Sequence, residues 1–184
     1  MINQPKISGN RVFVLDTSAF LAGFDPFSLS EELVTVPIVV EEIKRNSMVK
    51  VRFETALESR KLKIKAPPQK FLDEAKVSAS KVGDSFKLSE TDMQLLALAL
   101  ELKADGYTAQ IVTDDYSIQN VAAKSGIEFL ALATFGIKRI LERIRYCPAC
   151  HKQYPINSKF KECQVCGTPL KRKPRRTVKS LKEK

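Results

Sequence analysis

The sequence predicts an α/β fold, a parallel sheet between two layers of helices, followed by a small cysteine module and a basic C-terminal tail. Three observations carry this. Short β-branched runs alternate with helical apolar spacing over the first 145 residues, two Cys-x2-Cys pairs follow, and the positive charge is gathered around and behind them. Alternation of strand and helix implies parallel pairing, because each helix returns the chain to the end of the sheet from which it started.

The first strand is read at residues 11–15, where Val12, Phe13, Val14 and Leu15 are apolar on both faces, as a strand buried on both sides requires. A second strand is expected over 33–36, then a helix over 39–61, and a short edge strand over 62–64 ahead of Pro67 and Pro68. Helices are expected over 69–81 and 90–103. The second of these is apolar almost all round, with Met93, Leu95, Leu96, Leu98, Leu100 and Leu102, and is therefore predicted to be the buried central helix. A strand over 110–113, a helix over 117–124, a strand over 127–130 and a helix over 135–145 complete the domain, read as residues 1–145. The cysteine module is read as 146–170 and the tail, expected to be disordered, as 171–184.

Apolar residues make up 43% of the 184, enough for one core of ordinary domain size but not for a second. The chain has no run of 18 uninterrupted apolar residues and no signal-peptide-like apolar run before Arg11, so a cytoplasmic protein with reduced thiols and no membrane partner is expected.

The net charge of +10 is unevenly placed. Residues 1–142 carry 18 Lys and Arg against 19 Asp and Glu, net −1, whereas residues 143–184 carry 13 against 2, net +11. So concentrated a field suits a polyanion. Nucleic acid fits better than a membrane surface, since the segment has no amphipathic apolar stripe; the plain alternative is a solubilising tail. Lys171, Arg172, Lys173, Arg175 and Arg176 are the candidate RNA-binding residues.

Cys147, Cys150, Cys163 and Cys166 form two Cys-x2-Cys knuckles with 12 residues between them. Four thiolates at this spacing close a tetrahedral site with no open position, which makes the expected metal a structural Zn²⁺, one per chain. Two redox disulfides are the alternative, without a thioredoxin-like context to support it. His151, beside the module, could compete as a ligand but reads as a solvated neighbour.

Carboxylates occur where strands end and helices begin. Asp16 closes the first strand, and Asp114 and Asp115 close the strand over 110–113; in an open parallel sheet, ligands gather at the carboxyl ends of neighbouring strands. Each of these aspartates could equally serve only as a helix N-cap. Glu42 lies near the start of a helix, flanked by apolar residues, while Glu41 is placed to pair with Arg45. Asp92 enters the central helix after Ser89, where a capping box is the alternative role. Four carboxylates from four elements, without a histidine, would make a hard oxygen site for Mg²⁺ or Mn²⁺. The single His argues against a histidine-dependent ribonuclease, and without a Gly-x4-Gly-Lys-Ser/Thr run an NTPase is not supported.

The segments around Asp16, Glu42, Asp92 and Asp115 resemble, in order, the four acidic motifs of PIN-domain nucleases, and with the four-cysteine module they resemble the archaeal Nin-one-binding family. The resemblance spans nearly the whole chain. It implies a PIN-like three-layer domain with a zinc ribbon. It also implies a metal-dependent endoribonuclease that cleaves precursor small-subunit rRNA at its 3′ end, with precursor rRNA and the small ribosomal subunit as partners and other assembly factors beside them. It further implies Asp16, Glu42, Asp92 and Asp115 as ligands of the catalytic Mg²⁺ or Mn²⁺. Asp114 is a possible helper, and Thr17 and Thr113 would supply hydroxyls near the site. The alternative function is a noncatalytic RNA-binding assembly factor whose carboxylates merely cap helices; a PIN toxin is a third, less suited to the ribbon and tail. The oligomeric state is left open, and a monomer is compatible with the sequence.

Overall fold

The computed structural model describes residues 11–45, 47–82, 88–134, 136–137, 139–140, 143–175 and 179–180. Five parallel strands form the central sheet in the order β3-β2-β1-β4-β5: β1 (Arg11–Leu15), β2 (Glu32–Thr35), β3 (Leu62–Ile64), β4 (Thr108–Val112) and β5 (Glu128–Leu130). Val12, Phe13, Val14 and Leu15 of the central strand are all buried, as an apolar run with helices on both faces demands.

The helices are α1 (Thr17–Leu21), α2 (Pro37–Lys44), α3 (Ser47–Glu58), α4 (Gln69–Val82), α5 (Glu90–Ala104) and α6 (Tyr116–Lys124). In α5 eight consecutive residues, Leu95 to Leu102, are buried, because the helix packs on β1 and β4 and is covered in turn by α4 and α6. Its all-round apolarity is thus the mark of a helix with no solvent face. The helix expected over 39–61 is two helices. The first closes at Arg45, and the second ends at Glu58, where Arg60 takes a left-handed φ of 58° that stops helical propagation. Phe53 of α3 meets Phe20 of α1 edge to face at 5.1 Å, which seats this pair of helices on the core. Glu41 pairs with Lys44 at 3.0 Å rather than with Arg45 as expected.

Behind β5 none of the described residues of the expected helix over 135–145 is helical. The described ones include β6 (Arg139–Ile140) and the start of β7 (Arg143–Tyr146). Strand β7 pairs antiparallel with β8 (Gln153–Tyr154) on one side and β9 (Lys171–Pro174) on the other, and β6 pairs with β10 (Lys179–Ser180). Cross-strand partners far along the chain override the local helical pattern. The same pairing corrects the expectation of a disordered tail from 171 onward: Lys171–Pro174 is a strand hydrogen-bonded along β7, with the Lys173 ammonium 4.4 Å from the centre of the Tyr146 ring. The cysteine module therefore has its own three-stranded sheet, reaching from Arg143 to Pro174. No described helix is long and apolar enough to cross a membrane.

Candidate active site and metal centre

From β1 the chain proceeds to β2 and β3 on one side, and later from β4 to β5 on the other, so β1 and β4 are the adjacent strands at which the connections diverge. Asp16 leaves the end of β1, its N–H bonded to the Val112 carbonyl at the end of β4. The Asp16 carboxylate caps α1 through the Thr17 N–H at 2.7 Å and accepts the Ser18 and Thr113 hydroxyls at 2.7 and 2.8 Å. Only 8% of this residue is exposed. Burial holds its carboxyl above the usual carboxylate value of 3.8 against the pull of those donors, and the charge of Glu42 adds to the rise.

Glu42, half-buried on α2, receives a hydroxyl on each oxygen: Thr17 donates to Oε2 and Thr91 to Oε1, the latter at 2.6 Å. Asp92 forms the capping box with Ser89, accepting the Ser89 N–H at 2.7 Å while the Ser89 hydroxyl accepts the Asp92 N–H. The box is not its whole environment. Burial also raises the Asp92 carboxyl, and both Asp115 and Asp16 repel its charge. Asp115 caps α6, and the Thr113 hydroxyl accepts its N–H at 3.1 Å.

Asp114 faces elsewhere. Its carboxylate accepts N–H bonds from Leu132, Ala133 and Thr134 at 3.0–3.1 Å and the Thr134 hydroxyl at 3.0 Å, clamping the loop behind β5. Although what burial it has acts upward, these donors outweigh it and hold the Asp114 carboxyl below the usual range.

Asp16, Glu42, Asp92 and Asp115 thus arrive from β1, α2, α5 and the turn after β4 at one end of the sheet. Among the described residues no Lys or Arg ion pair reaches any of them. Asp16 and Asp92, raised by burial and by neighbouring carboxylates, and Glu42, held by two hydroxyl donors, have together with Asp115 the chemistry of a divalent-cation site with hard oxygen ligands. They form no tight group by themselves. Among the described residues only the four cysteines bring three or more ligand atoms within 4.8 Å of one another.

Those cysteines are all free thiols, Cys147 and Cys163 buried, Cys150 and Cys166 exposed, so the disulfide alternative is not formed. Sulfur atoms of Cys147 and Cys166, and of Cys150 and Cys163, lie 3.4 Å apart. A tetrahedral ion with bonds of about 2.3 Å to sulfur needs separations of about 3.8 Å, so the four are placed to bind a metal ion. Backbone N–H groups of Cys150 and Val165 point at the sulfurs of Cys147 and Cys163, and the Tyr154 hydroxyl lies 3.2 Å from Cys163. That hydroxyl, with backbone N–H groups, brings the Cys163 thiol down to about 6. The Lys152 N–H favours the Cys150 thiolate, but the Cys163 sulfur and burial prevail and push it up to about 12.

A family model described as the PIN domain of ribonuclease matches residues 13–102. Endoribonuclease Nob1 of Methanocaldococcus jannaschii is 40% identical over 163 residues, covering 89% of this chain and 78% of that protein. Endoribonuclease Nob1 of Methanothermobacter thermautotrophicus is 38% identical over 166 residues, covering 89% of this chain and 93% of that protein.

The chain belongs to the Nob1 family of PIN-domain endoribonucleases.

Similarity also extends to Ribonuclease VapC1 of Thermoplasma acidophilum, 35% identical over 175 residues, 94% of this chain and 83% of that protein. PIN nucleases depend on divalent metal, which agrees with a set of carboxylates that no Lys or Arg ion pair reaches among the described residues. Of the candidate RNA-binding residues, Lys171, Arg172 and Arg175 are exposed and Lys173 is half-buried against Tyr146; Arg176 lies outside the described residues. Ser18 and Thr91 are site residues that sequence reading did not single out. Ser18 follows the Asp16 motif by two positions and could have been found there, whereas the partner of Thr91 is 49 residues away and only the fold reveals it.

Proposed function

We propose that this Nob1-family chain cleaves precursor small-subunit rRNA at its 3′ end, with Asp16, Glu42, Asp92 and Asp115 holding Mg²⁺ or Mn²⁺. The observation that supports the proposal is that these four carboxylates, without a Lys or Arg ion pair among the described residues, lie at one end of the sheet by the switch point between β1 and β4, where Glu42 acts on Asp16 and both Asp16 and Asp115 act on Asp92. A divalent cation bound there supplies charge neutralisation at the scissile phosphodiester and a lower pKa for an attacking water. Thr113 and Ser18 fix the Asp16 carboxylate toward the site, the Ser89 box fixes Asp92, and the cap on α6 fixes Asp115. Asp114 serves the fold by anchoring the loop at 132–134, not the chemistry.

In the same reading Cys147, Cys150, Cys163 and Cys166 hold one structural Zn²⁺, a closed site with no place for substrate. The unit it staples spans 143–174, and the PIN domain precedes it. The basic residues of β9 and beyond grip rRNA within the small subunit, and the protein works in the cytoplasm. The test of the grip must respect the sheet: deleting 171–184 would remove β9 from β7, whereas Lys171→Gln and Lys173→Gln remove charge and leave the strand in place. Each lost phosphate contact should lower the slope of log affinity against log salt by roughly 0.7–0.9 for single-stranded or duplex nucleic acid. Titrations of the RNA at several salt concentrations read this directly. An unchanged slope in the double variant would leave β9 a purely structural strand. The nuclease activity itself is tested by RNA cleavage with Mn²⁺ or with EDTA, wild type against Asp16→Asn.

A further inference from the structure

Both oxygens of Glu42 are occupied by hydroxyl donors, and each donor sits beside another of the site's aspartates. Thr17 follows Asp16 on α1, and Thr91 precedes Asp92 on α5. Thr91 is unusual for its place. A threonine in the first turn of a helix ordinarily bonds to nearby backbone or faces water. Here Ser89 already provides the cap, Thr91 is only 6% exposed, and its hydroxyl reaches 2.6 Å across to an oxygen of a different helix.

The nature of the donor is informative. A lysine or arginine could hold Glu42 equally well, but its charge would cancel the carboxylate and compete with a cation. A hydroxyl positions the carboxylate and leaves its charge intact, with lone pairs still free on each oxygen. Glu42 is also the longest side chain of the four and half-buried on a short helix, so it has the most rotamer freedom to lose when a cation is bound. Pinning it beforehand removes that cost.

We propose that Thr91 is a positioning residue that fixes Glu42 against Asp92 and thereby sets the affinity of the acidic cluster for a divalent cation. This rests on the reading of Asp16, Glu42, Asp92 and Asp115 as the metal site. Groups that orient metal ligands without touching the metal typically account for 10–100-fold in affinity.

The experiment is an Mn²⁺ titration of the full-length, zinc-loaded chain in the absence of RNA, following free Mn²⁺ by its electron paramagnetic resonance signal. Thr91→Val keeps the β-branched shape and removes the hydroxyl; its Mn²⁺ dissociation constant should rise by roughly 10–100-fold. Thr91→Ser keeps the donor and should bind Mn²⁺ close to wild type. If valine disturbs the start of α5, seen as a fall in melting temperature without Mn²⁺, Thr91→Ala removes the same hydroxyl with a better helix former and should show the same weakening. Unchanged affinity in the folded variants lacking the hydroxyl overturns the inference while leaving the metal site standing. So does weakening by serine equal to that by valine, which would assign the effect to the lost methyl group. Absence of Mn²⁺ binding by wild type would instead overturn the metal-site reading, and the inference with it.

Discussion

Removing the ion from the four-cysteine module should unfold residues 143–174 and leave the five-stranded domain folded. The module has almost no core of its own: Cys147, Tyr154 and Cys163 are buried with Leu170 against them, apart from the large apolar cluster that encloses β1 and α5. So small a core cannot offset the entropy of ordering the 32 residues from 143 to 174, and in zinc modules of this size the apparent binding energy of about 10–16 kcal/mol is the folding energy. The thiols carry the same message. Four sulfurs within 4.8 Å of one another cannot all be thiolates without a cation among them to offset the repulsion of their charges. Metal analysis should give about one zinc per chain. Hydrogen exchange after chelation should show protection lost along β7, β8 and β9 and retained in β1, β4 and α5, and Cys163→Ser should reproduce this without chelator. Protection that survives in β7–β9 after zinc is removed would show that the sheet stands on its own pairing.

Asp16→Asn and Asp92→Asn should abolish cleavage while making the metal-free protein no less stable at neutral pH. Each change removes a charge and preserves volume. Loss of one preorganised charge-stabilising group commonly lowers the rate by roughly 10²–10³-fold, and loss of a metal ligand should do at least that. The stability effect follows from the direction of the shifts. Both carboxyls are raised above 3.8, chiefly by burial, so the folded state holds their protons more tightly than the unfolded state does. That contribution is present below about the ordinary carboxylate value and is lost as pH rises through the folded value, leaving ionised, buried carboxylates as a cost at neutral pH. Asparagine removes the cost; at position 16 it still caps α1 well, and at position 92 its amide oxygen can still accept the Ser89 N–H. The Ser18 and Thr113 hydroxyls can rotate to accept from the amide at position 16. Melting temperatures without Mn²⁺ should therefore equal or exceed wild type at pH 7, and the difference should close as pH falls toward 4. Asp114 behaves in the opposite sense, since its lowered carboxyl supports the loop at 132–134 above the ordinary range and releases it on acidification. A marked loss of folding in either asparagine variant would mean that these aspartates are caps first, with their charge serving the fold.

The parts of the structure legible in the sequence are those whose pattern reports burial locally. Four adjacent apolar residues at 12–15 announced the central strand, and the all-round apolar α5 announced a helix with no solvent face. The break between α2 and α3 was not legible, since no Pro or Gly stands between Ile43 and Val49 to mark it. Nor were β6, β7 and β9. Residues 135–145 carry a helical pattern, and Lys171–Pro174 reads as a solvated charge run, yet each pairs with a strand distant in sequence. In the site, the aspartates at strand ends were visible as residue types at positions that the fold class makes meaningful. The hydroxyls that hold Glu42 were not, since nothing local to Thr91 points toward α2.

The central claim is tested most directly by incubating the full-length protein with an RNA that spans the 3′ end of small-subunit rRNA and mapping the new ends at nucleotide resolution. The account predicts a single dominant cut with Mn²⁺ or Mg²⁺, none with EDTA, and none with Asp16→Asn or Asp92→Asn at equal RNA affinity. Cleavage of equal extent by wild type and both variants, or a cut that persists in EDTA, would contradict it.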